Sequence, residues 1–462
     1  MPAKMTTIPA KITTSHAIPE LNSNAAGADI AATEIFVAVP CDRDPHPVRA
    51  FGTFTEDLQA LADWLEQCGV KTIAMESTGV YWIPLYQILE ERGLEVCLVN
   101  ARHAKNVPGR KSDVLDCQWL QYLHACGLLQ RSFRPVQEVC ALRSVQRHRE
   151  TLVTYAASHV QHMQKALDQM NLQLHHVITD ITGKTGLAIL DAILAGERDP
   201  HTLAKLRDHR IKANEETIAK ALVGDWRPEH LFTLRQALAA YRQYQQFISE
   251  CNQEIEQMLR DIEGRIDLEE KPLPTGTATQ AKLHSNTICL KDGDLRTELY
   301  RILGVDLTAV PGLASGTIHR LFAEIGRDLS AFPTAKHFAS WLGLCPANKV
   351  SGGKVLSVKT RDVRHRAADA LRLCAQSLHH SKSALGEFYR RMRARLGAPK
   401  AITAAAHKLA RIVYHLLRTQ QPYEESAFTR SEAHYQQRRL NRLHREAAAL
   451  GYTLAQQEII VK

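Results

Sequence analysis

The chain has 462 residues, of which 45% are hydrophobic and 23% charged, and its 58 Lys and Arg against 49 Asp and Glu give a formal charge of +9. This length has room for roughly two to four domains with real cores, and the basic balance favours an anionic partner. Ten scattered cysteines without a C-x-x-C pair argue against a structural zinc site or a disulfide scaffold and suit a reducing compartment, while no apolar run approaches the roughly 18 residues of a membrane span.

Residues 1–24 are Thr/Ala/Pro-rich, with neither a hydrophobic signal core nor an arginine-rich face, and read as a disordered leader. Residues 25–135 read as an α/β domain. The segment Ala28-Asp29-Ile30 to Ala38-Val39 is apolar and β-branched, and is expected as a strand with Asp29 near its start. A second run, Lys71 to Met75, ends at Glu76 before Ser-Thr-Gly, which places this carboxylate at the carboxyl end of a strand, where open α/β sheets put their sites. A third strand, Glu95 to Val99, leads through a basic loop into a helix expected to start near Ser112, a good N-cap. The loop residues Arg102, Lys105, Arg110 and Lys111 are candidate nucleic-acid contacts, and the helix carries Asp113 and Asp116. Residues three apart share a helix face, so both aspartates reach toward the strand-borne pair. Four converging carboxylates repel one another unless cations fill the site, and Mg²⁺ suits carboxylates plus phosphate oxygens, often as two ions about 3.5–4 Å apart. Two aspartates in a helix's first turn also favour its dipole without any metal.

Residues 136–270 read as helical, with coiled-coil-like seams. Leu142, Val145, Leu152, Ala156, Met163, Leu167 and Met170 recur at spacings of three and four, missing positions such as 149. A second stripe runs Leu234, Leu238, Tyr241, Ile248, Ile255 and Leu259, interrupted by Gln245 and Asn252. Shorter amphipathic pieces between about 179 and 229 read as a helical insertion. Arg143, Arg147, His148, Arg149 and Lys165 on the first helix suit a nucleic-acid groove or a solvated face equally. Residues 271–300 are expected as a linker, rich in Pro, Thr and Gly from Lys271 to Ser285.

Residues 301–420 form the next expected domain, mainly α, with Val310-Pro311-Gly312-Leu313 near its start. A Pro-Gly turn before a helix can offer backbone N–H groups to a DNA phosphate. The block Trp341-Leu342-Gly343-Leu344-Cys345-Pro346 follows, then Val350-Ser351-Gly352-Gly353-Lys354. A serine before two glycines and a lysine is a flexible loop able to hold a phosphate against the serine Oγ, and it equally suits simple phosphate contact or a bare glycine turn. No local Ser-His-Asp set activates the hydroxyl. Gly352, Gly353, Lys354, Lys359 and Arg361 are candidate nucleic-acid contacts. Residues 421–462 read as a basic helical tail. Between Cys345 and Arg445 there are 21 Lys and Arg against 6 Asp and Glu, a local surplus of +15 that exceeds the whole chain's, which is the footprint of phosphate-backbone binding.

Two blocks resemble the DEDD transposases of the bacterial insertion-sequence family one-hundred-and-ten, most closely its eleven-eleven branch. The first spans Gly27 to about Arg134, with Met75-Glu76-Ser77-Thr78-Gly79 and Lys111-Ser112-Asp113-Val114-Leu115-Asp116. The second spans about Leu307 to Arg418, with Pro311-Gly312-Leu313, Gly343-Leu344-Cys345-Pro346 and Val350-Ser351-Gly352-Gly353-Lys354. The first motif keeps a glycine two before Asp29 but has Ala32 where relatives often carry lysine. The resemblance implies an RNase-H-like (RuvC-like) catalytic domain, a coiled-coil segment and a transposase domain with a serine nucleophile. By it, Asp29, Glu76, Asp113 and Asp116 would hold Mg²⁺, and Ser351 would attack phosphate to form a phosphoserine link. It further implies element-end and target DNA and an element-encoded bridge RNA as partners, a homodimer or homotetramer joining half-sites from different protomers, and a cytoplasmic, nucleoid-associated location. Two other readings stand on the residues: a RuvC-like endonuclease or resolvase cutting with the four carboxylates and water, and a non-catalytic scaffold carried by the basic block.

Overall fold

The computed structural model describes residues 19–77, 79–100, 113–275, 287–361, 363 and 365–453. It divides into two compact units, Met1–Arg134 and Pro135–Lys462.

The first unit runs β1 (Ala25–Ile30), β2 (Ile35–Ala38), β3 (Val48–Phe51), α1 (Thr55–Gln67), β4 (Thr72–Glu76), α2 (Trp82–Glu91), β5 (Glu95–Val99) and α3 (Asp113–Ala125). Its five-stranded sheet has the order β3-β2-β1-β4-β5, with β2 antiparallel to both neighbours and β1, β4 and β5 mutually parallel. The segment expected as one strand beginning near Asp29 is instead two: β1 ends just after Asp29, residues 31–34 turn, and β2 returns antiparallel with Asp29 paired to Phe36. The alanines before Asp29 carry little β-propensity and hid β1, while the β-branched residues that signalled a strand belong to its neighbour.

Strand alternation sends the two faces of the sheet to different partners. Ala26, Ala28, Ile73, Met75, Val96 and Leu98 join one core with Leu58, Leu61 and Leu65 of α1 and Leu85 and Leu89 of α2. Ala74, Cys97 and Val99 face the other way, onto Leu120 of α3. Here α3 approaches β1 so closely that a Cβ added at Gly27 would lie 2.2 Å from the Gln121 backbone nitrogen and 2.5 Å from the Cys117 carbonyl oxygen. The small residues of β1 therefore set the distance at which α3 lies over the sheet.

The second unit is mostly helical. The long helices α4 (Gln137–Gln169) and α9 (Pro228–Asp261) frame a cap made of α5 (Leu174–Val177), α6 (Lys184–Ala195), α7 (Pro200–Ala204) and α8 (Glu215–Ala221). Contacts such as Arg149 with Asn252 and Tyr155 with Tyr244 show that α4 and α9 run antiparallel. Leu152, Met163 and Leu167 pack against Leu234, Leu238, Tyr241 and Ile248, so both apolar stripes meet in one core that continues into the cap. The polar interruptions of the stripes meet as well. Arg149, expected on an outward face, is buried and donates from Nε to Asn252 Oδ1 at 2.7 Å. Burial lowers the pKa of its guanidinium, and the bond to Asn252 offsets part of the cost of burying it.

The chain continues as α10 (Leu295–Leu303, N-capped by Asp294), α11 (Ser315–Ile325), α12 (Ala335–Trp341), the hairpin β6 (Lys349–Ser351) and β7 (Lys354–Ser357), α13 (Arg366–Ser377), α14 (Ala384–Leu396), α15 (Ala398–Thr419) and α16 (Ser426–Ala449). Among the described residues, no helix is long and apolar enough to cross a membrane.

Candidate active site

The first cluster stands at the carboxyl end of the parallel strands. Gly27 pairs with Ala74 in the β1/β4 register, which runs to Ala28 and Met75, so one further step sets Asp29 beside Glu76. Asp29 lies two residues beyond Gly27 and Glu76 two beyond Ala74, so both project from the face that α3 covers. The backbone N–H and Oγ of Ser77 donate to the Val99 carbonyl, at 3.0 and 3.1 Å, tying the chain after Glu76 to the end of β5. Asp29, Glu76 and Asp116 are each partly buried.

Cys117 records how near the acids lie. It is fully buried under α3, and its thiol is pushed up to about 12, first by burial, then by the charges of Asp29 and Asp116. One thiol thus feels both a strand aspartate and a helix aspartate. Asp113 opens α3, one turn before Asp116; its side chain lies outside the described residues, as do Ser112 and the predicted contacts Arg102, Lys105, Arg110 and Lys111. Oxygen donors from two parallel strands and the adjoining helix fit a hard divalent cation.

The second cluster lies on the β6/β7 hairpin. Ser351 ends β6 opposite Lys354, and the two-residue turn between them has Gly352 and Gly353 at φ of +54° and +74°. Positive φ at both turn positions makes a tight hairpin that glycine adopts without strain. Ser351, Gly352, Gly353 and Lys354 are all exposed. So are the apolar Val350, Val355, Leu356 and Val358, at 59 to 68% of their accessible surface.

A rigid base carries this exposed hairpin. Phe332, Phe338, Trp341 and Tyr414 pack ring to ring, and the buried Tyr414 hydroxyl donates to the Phe332 carbonyl at 2.7 Å. Gly343 sits at φ of +70°, where a Cβ would be strained and would lie 3.0 Å from Val363 Cβ. A bridge between Pro346 and Thr360 closes the hairpin's root, and Arg361 donates to the Ser340 carbonyl. His365 sets its ring edge against Trp341 and accepts the Ala367 N–H at the start of α13; burial holds its pKa down to about 4, so the imidazole is neutral.

The other predicted contacts divide. Lys359 lines a groove of about 1620 Å³ with Lys400, Lys408 and Arg411 of α15, over an apolar floor that includes Leu344, Phe388 and Ile412. The α15 cations were missed from the sequence, although their helical spacing would have revealed them as one face. Arg147 is taken up by a bidentate pair with the buried Glu324 of α11, at 2.9 and 2.7 Å, and Arg143 donates to Cys140 Sγ at 3.2 Å. Glu150 joins Arg320 and Arg366 at 2.6 and 2.8 Å, so this stretch of α4 is bound by charge to α11 and α13. No sequence pattern announces that network.

Residues 26–172 match the profile of DEDD transposases of IS110 elements, and residues 306–390 match that of the transposase IS116/IS110/IS902 family. The chain is also 33% identical over 123 residues to an uncharacterized 43.6 kDa protein of insertion element IS110 from Streptomyces coelicolor. That match covers 26% of this chain and 29% of the relative, so it spans less than a third of the relative's length. The acidic sheet edge and the serine hairpin lie each within one of the two matched regions, and the chain belongs to the IS110 family of DEDD transposases.

Proposed function

We propose that the chain is the DNA transposase of a mobile insertion sequence, cutting and exchanging strands through a phosphoserine intermediate, with Mg²⁺ as its metal and a bridge RNA as its guide. The observation that supports this reading is that the β1/β4 register sets Asp29 beside Glu76, while Asp29 and Asp116 of the covering helix both act on the Cys117 thiol. We read the strand order, with β2 alone antiparallel to its neighbours, as RNase-H-like, and the α4/α9 pair as the coiled-coil segment.

Asp29, Glu76, Asp113 and Asp116 would hold the metal, which when bound supplies positive charge to the phosphate and the leaving oxygen. The rest of the chemistry belongs to this chain. Ser351 Oγ attacks phosphorus: the Oγ–P bond forms, a sugar–phosphate oxygen bond breaks, the serine proton departs, and the freed oxygen is protonated. A sugar hydroxyl of another strand then attacks the same phosphorus and restores the serine, conserving the number of phosphodiester bonds. Lys354, opposite Ser351 across the turn, offers its ammonium to the phosphate. Lys359, Lys400, Lys408 and Arg411 give the neighbouring groove a cationic rim for nucleic acid. The exposed valines and leucine of the hairpin suit contact with another protomer or with bound nucleic acid, in keeping with a composite site in a homodimer or homotetramer.

The test is denaturing gel mobility after incubating protein and its co-purified RNA with Mg²⁺ and DNA bearing the element junction. Wild type is expected to give a protein–DNA adduct, and Ser351→Ala to lose adduct and strand exchange by at least about 10³-fold while folding normally. Asp113→Asn is expected to lose Mg²⁺-dependent activity by about 10²-fold or more. Strand exchange retained in Ser351→Ala would remove the serine from the chemistry, and cut ends without an adduct would favour hydrolysis by the carboxylates alone.

A further inference from the structure

The far end of α4 gathers Asp168, His175 and His176. The backbone explains why they meet. After Gln169, Asn171 takes φ of +55° and its N–H returns to the Asp168 carbonyl, while the Leu172 N–H returns to Leu167. This reversal lays α5 beside the last turn of α4. Leu172 and Leu174 are fully buried, and the Gln173 N–H donates to the Ala221 carbonyl at the end of α8, so the two histidines stand on anchored backbone.

One carboxylate oxygen and one nitrogen from each ring all lie within 4.8 Å of one another. His175 Nε2 is 3.5 Å from Asp168 Oδ1, and the two rings have centroids 4.1 Å apart. His175 Nδ1 is shielded from solvent and has no hydrogen-bond partner among the described residues. Two imidazoles and a carboxylate suit Zn²⁺ and neighbouring first-row divalent ions rather than Mg²⁺, and tetrahedral Zn²⁺ holds its ligand atoms about 3.4 Å apart. Asp168 and His176 are exposed, so their side chains have room to rotate toward that spacing.

We propose that Asp168, His175 and His176 form a three-ligand site for a first-row transition metal ion of the Zn²⁺ class, distinct from the carboxylate cluster, which clips the end of α4 to α5 and through it to the cap. Its remaining coordination position opens to solvent.

The probe is Co²⁺, whose visible absorption reports low-coordinate nitrogen and oxygen ligation. Full-length protein, freed of any purification tag and stripped with chelator, is titrated in millimolar Mg²⁺ so that hard oxygen sites are filled. Wild type is expected to bind one equivalent with visible bands that Zn²⁺ displaces. His176→Ala, at an exposed position, and Asp168→Asn are each expected to weaken binding at least about tenfold with unchanged circular dichroism, since losing even outer-shell partners of a metal commonly costs that much. Asp116→Asn is expected to leave the titration unchanged. No visible spectrum, or one that survives His176→Ala, would overturn the proposal; so would its loss in Asp116→Asn, which would assign the ion to the carboxylates.

Discussion

Asp29 and Glu76 project from strands whose neighbours in the sheet are almost wholly buried, under a helix that touches backbone at Gly27. Ser351 instead ends a three-residue strand with every side chain exposed, beside two glycines whose added Cβ atoms would meet nothing within 4 Å. The acidic cluster is thus positioned by folding, since moving its carboxylates means moving a packed sheet edge. The serine's backbone is aimed by the turn and its root, but nothing among the described residues packs over it. For the phosphoryl transfer proposed above the division makes sense. Electrostatic stabilisation gains from fixed groups, while a nucleophile that must reach a large substrate and then release it gains from a tip that can be approached.

Three perturbations probe this contrast. The largest effect is expected from Gly27→Ala, which drives a Cβ into the α3 backbone. It should destabilise the first unit by about 3 kcal/mol and disturb the carboxylate cluster with it. Denaturant unfolding followed by fluorescence of Trp64, Trp82 and Trp119 checks this, and an unchanged midpoint would mean that α3 is not seated as described.

Acid should act next, and on the second unit. His319 of α11 is fully buried, and neither ring nitrogen has a hydrogen-bond partner among the described residues. Burial, then the charges of Arg149 and Arg320, hold its pKa down to about 3 against an ordinary 6.5. The native state keeps this ring neutral while the unfolded chain protonates it, so its contribution to stability is intact above pH 6.5 and is lost as pH falls toward 3. The expected slope is about 1.4 kcal/mol per pH unit within that window. Comparing the unfolding free energy of wild type and His319→Leu at pH 7 and pH 5 isolates it, and equal slopes would rule the histidine out as its source.

The smallest effect belongs to the hairpin. Gly353→Ala forces an L side chain into a left-handed conformation, at about 1 kcal/mol, in open space where no packing depends on it. The melting temperature should hold, while adduct formation slows about fivefold through a misdirected Ser351. A fall in melting temperature without a change in adduct rate would reverse the assignment of rigid and adaptable parts.

What the sequence made legible follows the same divide. β5 was readable to the residue, and Glu76 was placed correctly at the end of β4, because short β-branched runs bounded by turn residues are unambiguous. The two seam stripes were equally plain. β1 was not, since a strand of alanine and glycine announces close packing by another element rather than strand propensity. Arg149 was read as an outward cation but is buried against Asn252, and Arg147, exposed as read, is held by Glu324, 177 positions away in sequence. Long-range pairing of that kind leaves no local signature. The serine loop was visible as composition, but its geometry as a tight turn on a closed root required the fold.

The Arg149–Asn252 pair has a mechanical consequence. A helix of 33 residues is about 50 Å long, and sliding it one turn against its partner would part the buried Arg149 guanidinium from Asn252. The pair therefore opposes axial slip. Because Glu150 fastens the neighbouring stretch to α11 and α13, the register of the two long helices is held at the same place where α4 joins the helices that follow.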